Sequence, residues 1–103
     1  MKYLLFIFSV VGLFCVSSCT KQPFACFLVD YNIDSIPVNK TVQFNSFCSN
    51  EGKDYYWDFN NGDRFYDPVI NYVFTDTGKY EVFLLVTNGK KTASVKKILT
   101  VKP

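Results

Sequence analysis

The chain has 103 residues, of which 49% are hydrophobic, and its 11 basic and 9 acidic side chains give a formal net charge of +2. This length allows one domain, and the near-neutral charge argues against nucleic acid as a partner, because nucleic-acid-binding proteins need clustered positive charge. The sequence contains no histidine, which removes the usual general base and the commonest transition-metal ligand. We therefore predict a protein that is not an enzyme and that has no catalytic residues, metal or cofactor.

The N-terminal segment has the pattern of a signal peptide. Lys2 is the only charged residue before Lys21, and residues 4–16 form an almost uninterrupted apolar run. A membrane-spanning helix needs roughly 20 apolar residues, whereas the core of a signal peptide needs roughly 7 to 15. We therefore predict that residues 1–18 are a signal peptide; a buried core helix is the alternative.

The end of this run, Val-Ser-Ser-Cys at residues 16–19, resembles the lipobox of bacterial lipoproteins. In that family the cysteine thiol is diacylglyceryl-modified, the chain is cut just before it, and the new amine is acylated. The resemblance implies that Cys19 carries acyl chains such as palmitate. These chains are expected to anchor the protein in the bacterial cell envelope, at the outer membrane. The alternative is an ordinary signal peptide cut near Ser18, with Cys19 a plain thiol.

The lipid anchor, if present, is close to the folded part of the chain. Residues 19–23 are predicted to be a short lipidated tether, and the domain is predicted to span residues 24–103. The six residues from Cys19 to Ala25 reach about 20 Å when fully extended. The domain is therefore expected to lie close to its membrane.

The rest of the chain has the pattern of short β-strands. Apolar residues alternate with polar ones, and turn residues interrupt them at short intervals; the longest alternation is Tyr80, Val82, Leu84 and Val86. The run Asn-Asn-Gly at 60–62 predicts a hairpin, because Asn and Gly tolerate the positive φ of tight turns. We predict an all-β, antiparallel β-sandwich of about seven strands.

Three features make this sandwich immunoglobulin-like. Trp57 lies in the middle of a predicted strand, where that fold places a buried tryptophan. Asp76 and Tyr80 have the spacing of the tyrosine corner, in which the phenol bonds back to the backbone. Phe44 and Val82 stand where antibody domains carry their inter-sheet cysteines, so packing is expected to close the core.

The same residues resemble the PKD (polycystic kidney disease) domain over residues 24–102. The signature is carried by two blocks: Trp57, Asp58 and Phe59, then Gly78, Tyr80 and Val82. The hairpin residues 60–63 and the segment 72–74 depart from the family pattern. The resemblance implies a non-catalytic module in a surface or envelope lipoprotein, of a kind common in Bacteroidota, that contacts protein or polysaccharide.

Two cysteines remain for a disulfide. Cys15 leaves with the signal peptide and Cys19 takes the lipid, so Cys26 and Cys48 are a possible pair in an exported protein. Counted along the strands, Cys26 falls on the outward side and Cys48 on the inward side, so pairing requires a local irregularity. Two free thiols are the alternative.

An aromatic surface is the candidate binding face. If Trp57 and Val82 point inward, alternation places an aromatic and apolar set outward on neighbouring strands, with one of two further rings beside it: Tyr56, Phe83 and Leu85, then Phe65 or Tyr66. Such a patch is typical of a contact site for protein or for sugar rings. The alternatives are that a loop covers the patch, and that the protein is purely structural or an accessory subunit without its own ligand.

Calcium is a further candidate ligand at the hairpin. Four aspartates surround it in the sequence, Asp54, Asp58, Asp63 and Asp67. Their spacing matches no calcium loop.

Overall fold

The computed structural model describes residues 21–103, so the predicted signal peptide and Cys19 lie outside the described residues. This part of the chain forms eight strands: β1 (Leu28–Val29), β2 (Ile36–Pro37), β3 (Thr41–Asn45), β4 (Asp54–Asp58), β5 (Arg64–Phe65), β6 (Val69–Val73), β7 (Gly78–Thr87) and β8 (Thr92–Lys102). No apolar helix long enough to cross a membrane occurs within residues 21–103.

The strands form two sheets that pack as a sandwich. One sheet has the order β1-β3-β6 and the other has the order β2-β8-β7-β4-β5. Neighbouring strands are antiparallel except β2, which runs parallel to β8 through the pairs Ile36–Val101 and Pro37–Lys102. The predicted all-β sandwich is confirmed, with eight strands, of which the two-residue strand β2 pairs with one end of β8.

The core follows the period of two that the sequence shows. On β7, buried Val82, Leu84 and Val86 alternate with half-buried neighbours. The largest side chains between the sheets are five fully or almost fully buried aromatic rings: Phe27, Phe44, Trp57, Phe59 and Phe74. They meet mostly edge to face, as Trp57 does with Phe27 at 5.2 Å between centroids, which is a favourable arrangement of aromatic quadrupoles.

Polar groups on two core aromatics find backbone partners. The Trp57 indole Nε1 donates to the carbonyl of Asp67 at 2.7 Å, and the Tyr80 hydroxyl donates to the carbonyl of Asp76 at 2.8 Å. The second bond forms the predicted tyrosine corner. Both side chains are therefore placed as packing residues with satisfied polar atoms.

Cys26 and Cys48 are joined in a disulfide, with 5.3 Å between their Cα atoms. β3 ends at Asn45, and a turn follows in which the Ser49 amide donates to the Ser46 carbonyl at 2.9 Å. Because the chain turns there, the inward-outward alternation of β3 does not extend to Cys48. The Ser49 hydroxyl also bonds the carbonyl of Cys26 at 2.7 Å, which holds the two segments together.

The first described residues lie on the sandwich. The Lys21 carbonyl accepts a hydrogen bond from the Asn88 side chain at 2.9 Å, and the Gln22 side chain donates to the Thr92 carbonyl at 2.9 Å. Pro23 is buried. Residues 21–23, which the sequence analysis assigns to the tether 19–23, are therefore held by the domain.

A lysine lies between the sheets at one open side of the sandwich. Lys97 is paired with Val82 in the register of β8 and β7, on the side of the sheet that faces the core. Its ammonium group donates to the Phe27 carbonyl at 2.8 Å and lies 4.8 Å from the centre of the Phe27 ring. The side chain thus connects the edge of the five-stranded sheet to the segment before β1.

Candidate binding surface

The outer face of the five-stranded sheet carries the predicted aromatic and apolar set. The β4–β7 register places Tyr56 opposite Leu85 and Asp58 opposite Phe83. Tyr56, Phe83 and Leu85 are half-buried, on the face opposite to buried Trp57 and Leu84. The structure therefore places these three side chains on one surface, as strand alternation predicts.

Tyr66 completes this surface and Phe65 does not. Tyr66 follows β5, is 68% exposed, and its ring centroid lies 5.6 Å from that of Tyr56. Phe65 pairs with Trp57 across β4 and β5, so its ring points to the inner side and contacts Phe59 at 5.6 Å between centroids. Phe65 is thus removed from the candidate face, because the pairing register assigns it to the core side.

An open depression of about 420 Å³ lies on the same face of the sheet, at Asp58 and Phe83, the pair next to Tyr56 and Leu85 in the β4–β7 register. Its lining combines one apolar ring with polar and charged side chains: Asp58, Asn60, Glu81, Phe83, Ser94 and Lys96. Lys96 pairs with Glu81 at 3.2 Å, and Arg64 approaches Asp58 at 3.8 Å. Because opposite charges neutralise each other here, the depression offers hydrogen-bond donors and acceptors without a strong net charge.

The hairpin between β4 and β5 borders this depression and is fixed from the other sheet. Asn60 and Gly62 adopt positive φ values of 58° and 96°, as the turn sequence predicts. The Tyr72 hydroxyl on β6 donates to the Asp63 carboxylate and accepts from the Asn61 amide at 2.8 Å. Burial raises the pKa of Tyr72, as does its bond to the Asp63 carboxylate, so the phenol stays protonated as a donor.

The aspartates around the hairpin do not form a shared site. Asp58 approaches Arg64, while Asp63 accepts from Tyr72. Within residues 21–103 no group of three or more acidic, cysteine or histidine side chains is placed to hold a metal ion. Asp58 and Asp63 therefore have separate partners.

Sequence reasoning missed two features of this surface. The depression depends on Ser94 and Lys96, which reach the face only because the β7–β8 register sets them beside Leu85 and Phe83. The hydrogen bonds that hold the β4–β5 hairpin come from Tyr72 of the opposite sheet. The alternation of residues along β8 is a weak sequence signal for the position of Ser94 and Lys96. No local pattern in the sequence indicates the contact of Tyr72 with the hairpin.

Comparisons with known proteins agree with this architecture. One similar structure comes from work on the promiscuous specificity of carbohydrate-binding modules of the β-sandwich superfamily. It is 28% identical to this chain, with a TM-score of 0.69 over 80% of this chain. The chain spans only 35% of that structure's length. No curated protein matches the sequence significantly.

Two further structures are PKD domains themselves. The PKD1 domain of Vibrio anguillarum Epp is 25% identical, with a TM-score of 0.64 over 80% of this chain and 95% of that domain. The PKD1 domain of the Vibrio cholerae metalloprotease PrtV is 24% identical and has the same fold, with a TM-score of 0.65 over 81% of this chain and all of that domain.

The family model of the PKD domain matches residues 28–101, which is well over half of the chain. The match includes the buried tryptophan of β4 and the tyrosine corner formed by Tyr80 of β7 with Asp76. The chain therefore belongs to the PKD domain family.

Proposed function

We propose that this protein is a lipid-anchored component of the bacterial cell envelope, at the outer membrane, that binds polysaccharide through the outer face of its five-stranded sheet. The observation that carries the proposal is the exposed Tyr66 ring, in contact with Tyr56, beside the open polar depression. We call the surface formed by Tyr56, Tyr66, Phe83, Leu85 and the depression the aromatic face.

The chemistry of the aromatic face suits a neutral, hydroxyl-rich ligand. A flat aromatic ring packs against the C–H groups of a sugar, and paired charged side chains supply donors and acceptors for its hydroxyls. Asp58, Glu81 and Lys96 surround Phe83 in this way. The similarity to a structure from work on carbohydrate-binding modules supports the same ligand class.

The proposal includes no catalysis by this chain. The PKD domain is a non-catalytic module fold, and the sequence has no histidine to act as a general base. The carboxylates on the aromatic face are engaged instead, Asp58 with Arg64 and Glu81 with Lys96. We therefore assign the face to binding.

We expect Tyr66→Ala to weaken polysaccharide binding about tenfold while the free energy of unfolding changes by less than about 0.5 kcal/mol. The side chain is 68% exposed, so little packing is lost with it. Affinity electrophoresis against a panel of soluble envelope and plant polysaccharides measures the binding, and urea denaturation measures stability.

Tyr31→Ala is the matched control for this variant. Tyr31 is an exposed tyrosine, at 38%, in the connection between β1 and β2, away from the aromatic face. It should bind like the parent protein. Equal polysaccharide binding by Tyr66→Ala and the parent would show that this face does not bind polysaccharide. If the parent binds a protein ligand and no polysaccharide, the face is assigned to protein contact.

The anchor gives a separate prediction. Mass spectrometry of the protein purified from its native membrane should show a chain that begins at Cys19 and carries acyl groups. Cys19→Ser should release the protein into the soluble fraction. A parent chain that begins elsewhere, or that retains residues 1–18, would contradict the anchor without touching the aromatic face.

A further inference from the structure

One end of the sandwich differs in character from the aromatic face. The register pairs Asp54 with Thr87 and Thr87 with Thr92, so β4 begins, β7 ends and β8 begins at the same end. The connection from β3 to β4 also crosses here. We call this the N-terminal end and define it as residues 21–24, 46–53 and 88–91.

Two phenylalanine side chains at the N-terminal end are exposed to solvent. Phe24 is 58% exposed and Phe47 is 69% exposed. Phe24 is held by a backbone bridge to Asn50, and Phe47 lies in the turn next to disulfide-bonded Cys48. Both rings therefore project from fixed backbone, and their transfer out of water would be favourable.

The same end is rich in lysine. Lys21, Lys53, Lys90 and Lys91 are exposed, against one exposed acid, Glu51, within this end and a second, Asp54, next to it at the start of β4. Lys21 approaches Glu51 at 3.9 Å, which leaves an excess of positive charge around the two rings. Aromatic rings beside lysines are complementary to the interface of a bilayer that contains anionic lipid.

The position of the anchor fixes which end of the domain meets the membrane. Lys21 and Gln22 are hydrogen-bonded to Asn88 and Thr92 at this end. Only Thr20 separates Lys21 from Cys19, and two residues span about 7 Å. Acyl chains on Cys19 would therefore hold the N-terminal end at the depth of the lipid headgroups.

We infer that the N-terminal end docks on the bilayer surface, with Phe24 and Phe47 in the interface and the lysines beside lipid phosphates. The inference rests on the proposed lipid anchor and does not depend on the aromatic face. In this orientation the strands stand away from the membrane, and the aromatic face lies on the side of the domain, open to ligand.

Tryptophan reporters test this orientation in the acylated full-length mature protein. Phe47→Trp and Val73→Trp are each reconstituted in vesicles of phosphatidylethanolamine and phosphatidylglycerol with brominated acyl chains, which quench tryptophan at the bilayer. Val73 is an exposed residue, at 44%, and its partner Thr41 begins β3, so it lies at the opposite end. Trp57 contributes the same background to both variants.

We expect the tryptophan at position 47 to be quenched several-fold more strongly than the one at position 73. Phe24→Trp is a second reporter with the same expected result, should the first variant fold poorly. Lys90→Glu combined with Lys91→Glu should reduce the quenching in phosphatidylglycerol vesicles and leave it unchanged in phosphatidylcholine.

Equal quenching at positions 47 and 73 in a protein shown to be acylated overturns the inference and leaves the anchor intact. Absence of acyl groups overturns the anchor and the inference together. Polysaccharide binding in either case is judged separately by the tyrosine variants.

Discussion

Trp57→Ala should lower the free energy of unfolding by about 3 to 5 kcal/mol, the loss expected when a large buried side chain leaves a cavity. Trp57 is fully buried and its ring contacts Phe27 and Phe44, at 5.2 and 6.1 Å between centroids. A domain of this size has a total stability of about 5 to 15 kcal/mol, so the variant should be marginally folded at room temperature. Urea denaturation followed by circular dichroism measures the difference.

Trp57→Phe separates the hydrogen bond from the packing. It keeps an aromatic ring between the sheets but leaves the Asp67 carbonyl without the donor that it has at 2.7 Å. We expect a smaller loss than for alanine. If the free energy of unfolding of Trp57→Ala is within about 1 kcal/mol of that of the parent, packing of the tryptophan does not stabilise this core.

Replacing both linked cysteines, Cys26→Ser with Cys48→Ser, should lower stability by about 3 kcal/mol, because the bond closes a loop in the unfolded chain. The two cysteines are 22 residues apart in the sequence. The native geometry should survive, since the Ser49 hydroxyl accepts from the Cys26 amide at 2.9 Å and donates to the Cys26 carbonyl at 2.7 Å, independently of the sulfurs. Chemical denaturation with and without a reductant measures the effect.

The reductant provides the internal control. It should destabilise the parent by the same amount and leave the double variant unchanged. In the folded, unreduced mature protein, Cys26 and Cys48 should resist alkylation. Rapid labelling of both thiols under those conditions would show that the bond does not form in the protein.

The sequence predicts this fold well where a strand is long and its alternation is clean. Val82, Leu84 and Val86 are buried as their spacing requires, and the spacing from Asp76 to Tyr80 predicts the corner bond. These features depend on local periodicity and on turn geometry, which a single sequence contains. The family signature adds the position of the buried tryptophan.

The features that the sequence did not predict depend on register or on non-local bonds. Ile36–Pro37 is too short for alternation, and its parallel partner is about 65 residues away in the chain. The choice between Phe65 and Tyr66 requires the pairing of Phe65 with Trp57. The disulfide requires the turn after Asn45, and the position of the first described residues on the sandwich requires a side-chain bond from Asn88 to the Lys21 carbonyl.

Lys97 also lies where it bears on the exposed edge of β8. Among residues 21–103, the strand that pairs with β8 on the side away from β7 does so only at Val101 and Lys102, and the Thr100 amide also donates to the Ile33 carbonyl at 2.8 Å. Much of the length of β8 is therefore a strand edge that another sheet could extend. Lys97 projects inward from that edge and spans to the Phe27 carbonyl. A strand added there would lie against a strand whose inward face carries this charge. An inward-pointing charged side chain is one of the devices by which proteins protect an exposed edge from pairing with another sheet.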